Sequence, residues 1–307
     1  VTRLVRGLAA LRGLEQPWWQ LWHADPHATP FQSPAWLLPW AESFQPETCV
    51  AFTDGRSPPA FLFPWFSLDA GRHLLPLGAG TSDWLGPVGT MPPDLPWPAE
   101  AALIDLPGLP ATSPLADRPP PPGWQAEAGA GEPCPALDLP ARLSKSLRQS
   151  LRTAGHRMDR LGDWRITAIQ DRDIPAALDR LFALHAARWQ AKGEPGVLAD
   201  PAVRAFHHRA APRLDAAGLL QFYGLACAGD WVALLYGLSA KGRFHYYIGG
   251  HDPALAAASP GSLLLAHALG RATEEGCTLF DFLRGREPYK YRWGARDRPC
   301  LWRRWRR

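Results

Sequence analysis

Apolar and polar positions fall into their clearest order in the second half of the chain. Over residues 144–161 a helical projection gathers Leu143, Leu147, Leu151, Met158 and Leu161 on one side and sets Lys145, Arg148, Arg152 and His156 in a stripe opposite. This predicts an amphipathic helix with a basic back. Residues 164–169 alternate as a strand, and 173–192 and 200–217 carry helical spacing. Three consecutive strands follow at 219–226, 231–239 and 243–249, parted by the turn residues Gly218, Gly229-Asp230 and Lys241-Gly242. Ser259-Pro260 supplies an N-cap and an N1 proline for a helix ending at Gly276. Residues 278–282 read as a strand, and a short turn or helix leads to the basic end. After the basic helix the predicted order is β, α, α, β, β, β, α, β.

The first half is patterned less regularly. Trp18, Trp19 and Trp22, then Trp36 and Trp40, precede short strand-like runs at 49–53 and 60–66. Gly-rich turns at 78–80 and 86–89 enclose Thr81-Ser82-Asp83-Trp84-Leu85. Between residues 91 and 140 prolines recur, four of them in a row at 119–122. No long helix can cross that stretch, and strands in it should be short or at a sheet edge. A division near Pro140 follows, giving domains 1–140 and 141–307.

Composition narrows the class. A chain of 307 residues, 46% hydrophobic and 20% charged, is long enough for two ordinary domains or one large one. Thirty-three basic against 29 acidic residues leave a net +4, too small an excess to mark a nucleic-acid binder. Only four cations are lysine (Lys145, Lys192, Lys241, Lys290), so each lysine is more informative than a lone arginine. Five cysteines, widely spaced and without a C-x-x-C pair, support neither a disulfide framework nor a zinc ribbon, and suit a reducing compartment. The N-terminal segment lacks the pattern of a secretion signal, and no stretch reaches the roughly 18 apolar residues of a membrane helix. A cytoplasmic protein is the expectation.

The segment Phe280-Asp281-Phe282-Leu283-Arg284-Gly285-Arg286-Glu287-Pro288-Tyr289-Lys290-Tyr291-Arg292-Trp293-Gly294 resembles the closing signature of the CelD/BcsL-like acetyltransferases. These belong to the GNAT superfamily and are related in architecture to the Fem aminoacyltransferases. Leu184-His185-Ala186-Ala187-Arg188-Trp189, Phe244-His245-Tyr246-Tyr247-Ile248-Gly249-Gly250 and Ser259-Pro260-Gly261-Ser262 add to the resemblance, which covers 143–298. Over the first half it rests on Thr81-Ser82-Asp83. It implies an α+β protein of two GNAT-like domains, mixed and mostly antiparallel sheets flanked by helices, the second domain complete and the first degenerate. The implied activity is N-acyl transfer from acetyl-CoA or another acyl-CoA to an amine or hydroxyl of a small-molecule or glycan-precursor acceptor. Contact with the inner membrane face or with polysaccharide-synthesis machinery would accompany it. The alternatives are a Fem-type transferase using aminoacyl-tRNA and a non-catalytic accessory protein of polysaccharide synthesis, binding through its tryptophans.

Acyl transfer needs a cradle for the donor's pyrophosphate, polarisation of the carbonyl, a base for the attacking amine and a hold on the acceptor. Ser259, Gly261 and Ser262 at a helix N-terminus suit the first, although the same residues serve a plain helix start. His245 and Tyr247 share one face of their strand and Tyr246 takes the other. His245 can take a proton near neutral pH or sit in the core with one hydrogen bond. Asp281, between two phenylalanines, needs a partner, for which Arg284 is placed, and is either the general base or half of a buried salt bridge. Tyr289, Lys290, Tyr291, Arg292 and Trp293 mix rings with charge as a channel wall would, or set core rings beside surface cations. By resemblance to Fem-like relatives, Lys290 lies in the substrate channel. His185, with Arg188 and Trp189 a turn later, is a candidate wall or an ordinary core histidine. Ser82 and Asp83 are candidates for acceptor binding or simple turn residues. His207-His208 lacks a further ligand nearby, so no metal is assigned. The basic stripe and the tail 303–307 are solvated surfaces, or contacts for phosphate, acidic lipid or tRNA, and Trp302 and Trp305 suit either a membrane surface or a final strand closing the sheet.

Overall fold

The computed structural model describes residues 2–46, 48–95, 97–190 and 196–307. In chain order they form β1 (Arg3–Arg6), α1 (Leu8–Gly13), α2 (Glu15–Ala24), α3 (Pro34–Phe44), β2 (Thr48–Thr53), β3 (Phe61–Leu68), β4 (His73–Pro76), β5 (Val88–Gly89), β6 (Leu103–Pro110) and β7 (Gln125–Ala130). There follow β8 (Cys134–Asp138), α4 (Lys145–Asp159), β9 (Trp164–Ala168), α5 (Ile174–Gln190), α6 (Pro201–Ala216), β10 (Leu220–Cys227), β11 (Asp230–Ala240) and β12 (Arg243–His251). The last elements are α7 (Pro260–Glu274), β13 (Leu279–Asp281), α8 (Pro288–Arg292), β14 (Arg296–Arg298) and β15 (Cys300–Arg306).

Two compact units result, Val1–Pro133 with Pro299–Arg307, and Cys134–Arg298. The first holds a sheet in the order β1-β2-β3-β4-β6-β15-β7, with β5 on β3; the second holds β14-β8-β13-β12-β11-β10-β9. Each contains four successive antiparallel strands, a fifth lying parallel to the fourth (β6 on β4, β13 on β12), and two more antiparallel strands beyond. In each sheet the strand next to that fifth one, β15 or β8, comes from the other half of the sequence. The two units part between Pro133 and Cys134, and the basic tail enters the first sheet between β6 and β7.

The tail's charges are spent within that unit. Trp305 is fully buried, Arg303 donates to the carbonyl of Leu115 at 2.9 Å, and Arg304 pairs with Asp105. Prolines also exclude less than expected between residues 91 and 140, because β6 is an interior strand of eight residues. Pro107-Gly108 lies where the β6–β15 register shifts, a bulge that needs no ladder hydrogen bond from proline.

In the second unit local chemistry and topology agree. Ser144 caps α4, accepting from the Leu147 N–H at 3.1 Å, a contact worth about 1 kcal/mol. Ala228-Gly229 and Lys241-Gly242 both have positive φ, the two-residue turn that matches strand twist in a hairpin. The core between sheet, α4 and α7 is built on Phe244 stacked on Phe280 at 4.6 Å, with Leu264, Leu265 and Ala268 of α7 buried against it. β12 and β13 pair only from Arg243–Leu279 to His245–Asp281; beyond that β12 continues on β11 alone, and Phe282 turns to the carbonyl of Pro135. The two strands thus part just past His245. Among the described residues no helix joins β4 to β6, so the first unit lacks a counterpart of α7.

Candidate active site

The divergence of β12 from β13 opens a cavity of about 230 Å³ on the α7 side of the sheet. Leu147 of α4, Leu234 and Leu235 of β11 and Leu264 and Leu265 of α7 line it with apolar surface. Ser259, Gly261 and Ser262 bring the N-terminus of α7 to it, and Tyr289, Arg292 and Trp293 wall it from α8. Ser259 departs from the expected cap: at φ +53° its hydroxyl turns to the carbonyl of Ala256 at 3.4 Å, and no side chain caps the helix. The first-turn N–H groups and the positive end of a 15-residue helix therefore lie beside the cavity without a protein anion on them. A Cβ on Gly261 would stand 3.3 Å from Nδ1 of His251, so the small residue keeps this mouth open. These features fit the pyrophosphate and thioester arm of acyl-CoA.

His245 and Asp281 occupy the opposite face of the sheet. They are register partners across β12 and β13, 2% and 4% exposed, with His245 Nδ1 3.7 Å from Asp281 Oδ2. That is an ion-pair distance for a protonated ring and longer than a hydrogen bond. Asp281 Oδ1 accepts the Leu283 N–H at 2.8 Å. Arg284, expected as the partner of Asp281, is exposed and gives its carbonyl to Lys290. Tyr246 turns to the cavity side, near Phe282 and Tyr289, and Tyr247 to the other, against His207 and Tyr236. His185 is buried on α5, which packs so closely on β12 that a Cβ at Gly250 would meet Leu184 at 3.1 Å.

Lys290 is neither in solvent nor on the cavity wall. Its buried ammonium donates to the carbonyls of Leu283, Arg284 and Gly285 at 3.1, 2.8 and 3.1 Å and pairs with Glu287 at 2.9 Å, so its three donors are taken. The expected common cavity of Asp281, Lys290 and the His245 strand is therefore two faces of one sheet, with only the strand shared. Tyr291 also departs from expectation, being 37% exposed and donating to Asp297 at 2.6 Å. The side chains of Arg188 and Trp189 lie outside the described part of the chain. In the first unit Ser82 is buried and accepts the Trp36 indole N–H at 2.8 Å, and Asp83 is buried beside it in sequence. Ser82→Ala should cost about 1 kcal/mol, readable as a lower urea midpoint.

Sequence reasoning missed His251 on the cavity, and the buried cluster that sets His207, Tyr236 and Tyr247 together, their rings 5.4–5.7 Å apart. The signal available was Gly249-Gly250 inside a strand, which marks close approach. A Cβ at Gly249 would run into the Tyr246 hydroxyl. Burial, then the neighbouring His208, depresses His207 to about 3, and burial pushes Tyr236 well up. The unfolded chain thus binds a proton that the folded one refuses between about pH 6.5 and 3, and stability is lost as pH falls through that window. By pH 3 the loss from His207 amounts to roughly 5 kcal/mol. His207→Leu should flatten the fall in urea midpoint between pH 7 and pH 4.

The fold so described, two mixed sheets with flanking helices, is the α+β tandem acyl-CoA N-acyltransferase fold. Residues 145–291, which lie in the second unit, match the family described as acetyltransferase (GNAT) domain. FemX is similar at a TM-score of 0.67 and 9% identity, covering 94% of this chain and 95% of that one. The C-terminal domain of a protein assigned as a lysylphosphatidylglycerol synthetase from Agrobacterium fabrum is similar at 0.62 and 12%, over 95% and 91%. L-PGS from Bacillus licheniformis gives 0.58 and 12%, over 87% and 86%. No curated protein matches in sequence. Among the described residues no helix is long and apolar enough to cross a membrane, and no group of three or more His, Cys, Asp and Glu could hold a metal ion.

Proposed function

We propose that the chain is an N-acyltransferase, of the CelD/BcsL-like kind, moving an acetyl or longer acyl group from acyl-CoA to an amine, or less often a hydroxyl, of a cell-envelope or exopolysaccharide precursor. The observation that carries this reading is the uncapped N-terminus of α7 opening on an apolar-walled cavity where β12 and β13 part. Acyl-CoA would supply the activated thioester. Gly261 holds its phosphates with a backbone N–H and Ser262 with its hydroxyl, the leucines of β11 and α7 exclude water from its arm, and the stretch of β12 beyond its pairing with β13 orients the carbonyl. From the other face of the same strands His245, held by Asp281, takes the proton of the attacking amine. A fold neighbour assigned as a lysylphosphatidylglycerol synthetase supports an envelope component as acceptor class.

Titration with acetyl-CoA tests the reading, because Trp293 lines the cavity and should report binding by a saturable change in fluorescence. No saturable change would refute it. The aminoacyl-tRNA alternative keeps one supporting observation, the exposed stripe of Lys145, Arg148 and Arg152 on α4. Binding of charged tRNA in place of acetyl-CoA would select it. The accessory-protein alternative would draw on partly exposed rings such as Trp19, Trp164, Trp231 and Trp302, whereas Trp18, Trp36, Trp65 and Trp305 are fully buried.

A further inference from the structure

We infer that Lys290 is a positioning residue, which fixes the Leu283 peptide so that Leu283 holds one oxygen of Asp281 and the other is left to His245. The inference rests on the acyl-transfer reading of the His245–Asp281 pair and replaces the substrate-channel role that resemblance implies for this lysine.

Leu283 carries the argument because both of its peptide groups are engaged. Its N–H donates to Asp281 Oδ1 at 2.8 Å, and its carbonyl accepts from Lys290 Nζ at 3.1 Å. Between them the residue stands at φ +59°, a left-handed conformation that costs a side chain such as leucine roughly 1–2 kcal/mol. The ammonium stabilises that conformation by gathering three successive carbonyls around one point, which in its absence would repel one another. Gly285, at φ +110°, lets the third carbonyl turn inward, and a Cβ there would meet Glu287 Oε2 at 2.5 Å. Three donors facing three carbonyls and a carboxylate leave nothing for a substrate anion. The influence of Lys290 on chemistry therefore runs through Leu283 to Asp281, whose Oδ2 faces His245.

The test combines kinetics with amide exchange. Transfer from acetyl-CoA to a mixture of amino sugars and amino acids, followed by thiol release, is compared in Lys290→Met, Asp281→Asn and the double variant. Lys290→Met should lower kcat by roughly 10-fold or more with acetyl-CoA affinity unchanged, and the double variant should fall within about 3-fold of Asp281→Asn alone, as for groups acting in series. The Leu283 amide should exchange with solvent at least ~10-fold faster in Lys290→Met than in the parent protein. Multiplying losses, or an unchanged Leu283 exchange rate, would overturn the positioning role. Should Lys290→Met fail to fold, Gly285→Ala keeps the ammonium while breaking the carbonyl cluster, and must give the same Leu283 exchange and the same non-additivity with Asp281→Asn. Full activity in Asp281→Asn would instead remove the His245–Asp281 pair from the chemistry, and no transfer by the parent protein would sink the acyl-transfer reading; both are distinguishable from failure of the positioning role because the Leu283 exchange is read without substrate.

Discussion

Gly261→Asp is expected to lower acetyl-CoA affinity by about 10²-fold or more while leaving the protein folded. The residue stands in the first turn of α7, whose N–H groups no side chain caps, and it lines the cavity. A carboxylate there would take those N–H groups for itself and set a negative charge against the incoming phosphates. The same charge suits a helix N-terminus, so thermal stability should hold or rise by about 0.5 kcal/mol. Gly261→Ala separates charge from size, because its Cβ has only Nδ1 of His251 within 3.3 Å and should cost far less affinity. Acetyl-CoA titrations of the three proteins decide the matter, and undiminished affinity in Gly261→Asp would place the donor elsewhere.

Asp281→Asn should lower kcat/KM by roughly 10²–10⁴-fold, the scale of losing general acid–base catalysis. An amide of the same shape keeps an oxygen for the Leu283 N–H but can turn an N–H₂ toward His245, where the carboxylate had set an oxygen 3.7 Å from the ring nitrogen. Acetyl-CoA affinity should be unchanged, since the cavity lies on the other face of β12 and neither residue lines it. His245→Gln should give a similar loss, and the two together little more than either alone. A fully active, well-folded Asp281→Asn would assign the pair a structural role only.

Much of the second unit was legible in the residues. Hairpin turns at Gly229 and Lys241-Gly242, the start of α7 at Pro260 and the alternation of Tyr246 and Tyr247 are local features, set within a few residues of backbone and side-chain preference. Asp281 between Phe280 and Phe282 announced that it needed a partner. What the sequence did not determine was which partner, because His245 is 36 positions away and reaches it only through the parallel pairing of β12 with β13. Nor does local pattern say that β15, at the far end of the chain, enters the first sheet between β6 and β7, or that β8 enters the second between β13 and β14, since strand pairing depends on edges left open by distant segments. Lys290 and Tyr291 are neighbours in one signature, yet the fold buries the first among backbone carbonyls and turns the second out to Asp297. Every residue carries a carbonyl, so sequence alone cannot tell which carbonyls converge on an ammonium. The side-chain types available for chemistry were fixed by sequence, and the tertiary structure decided which of their hydrogen bonds remain to be used.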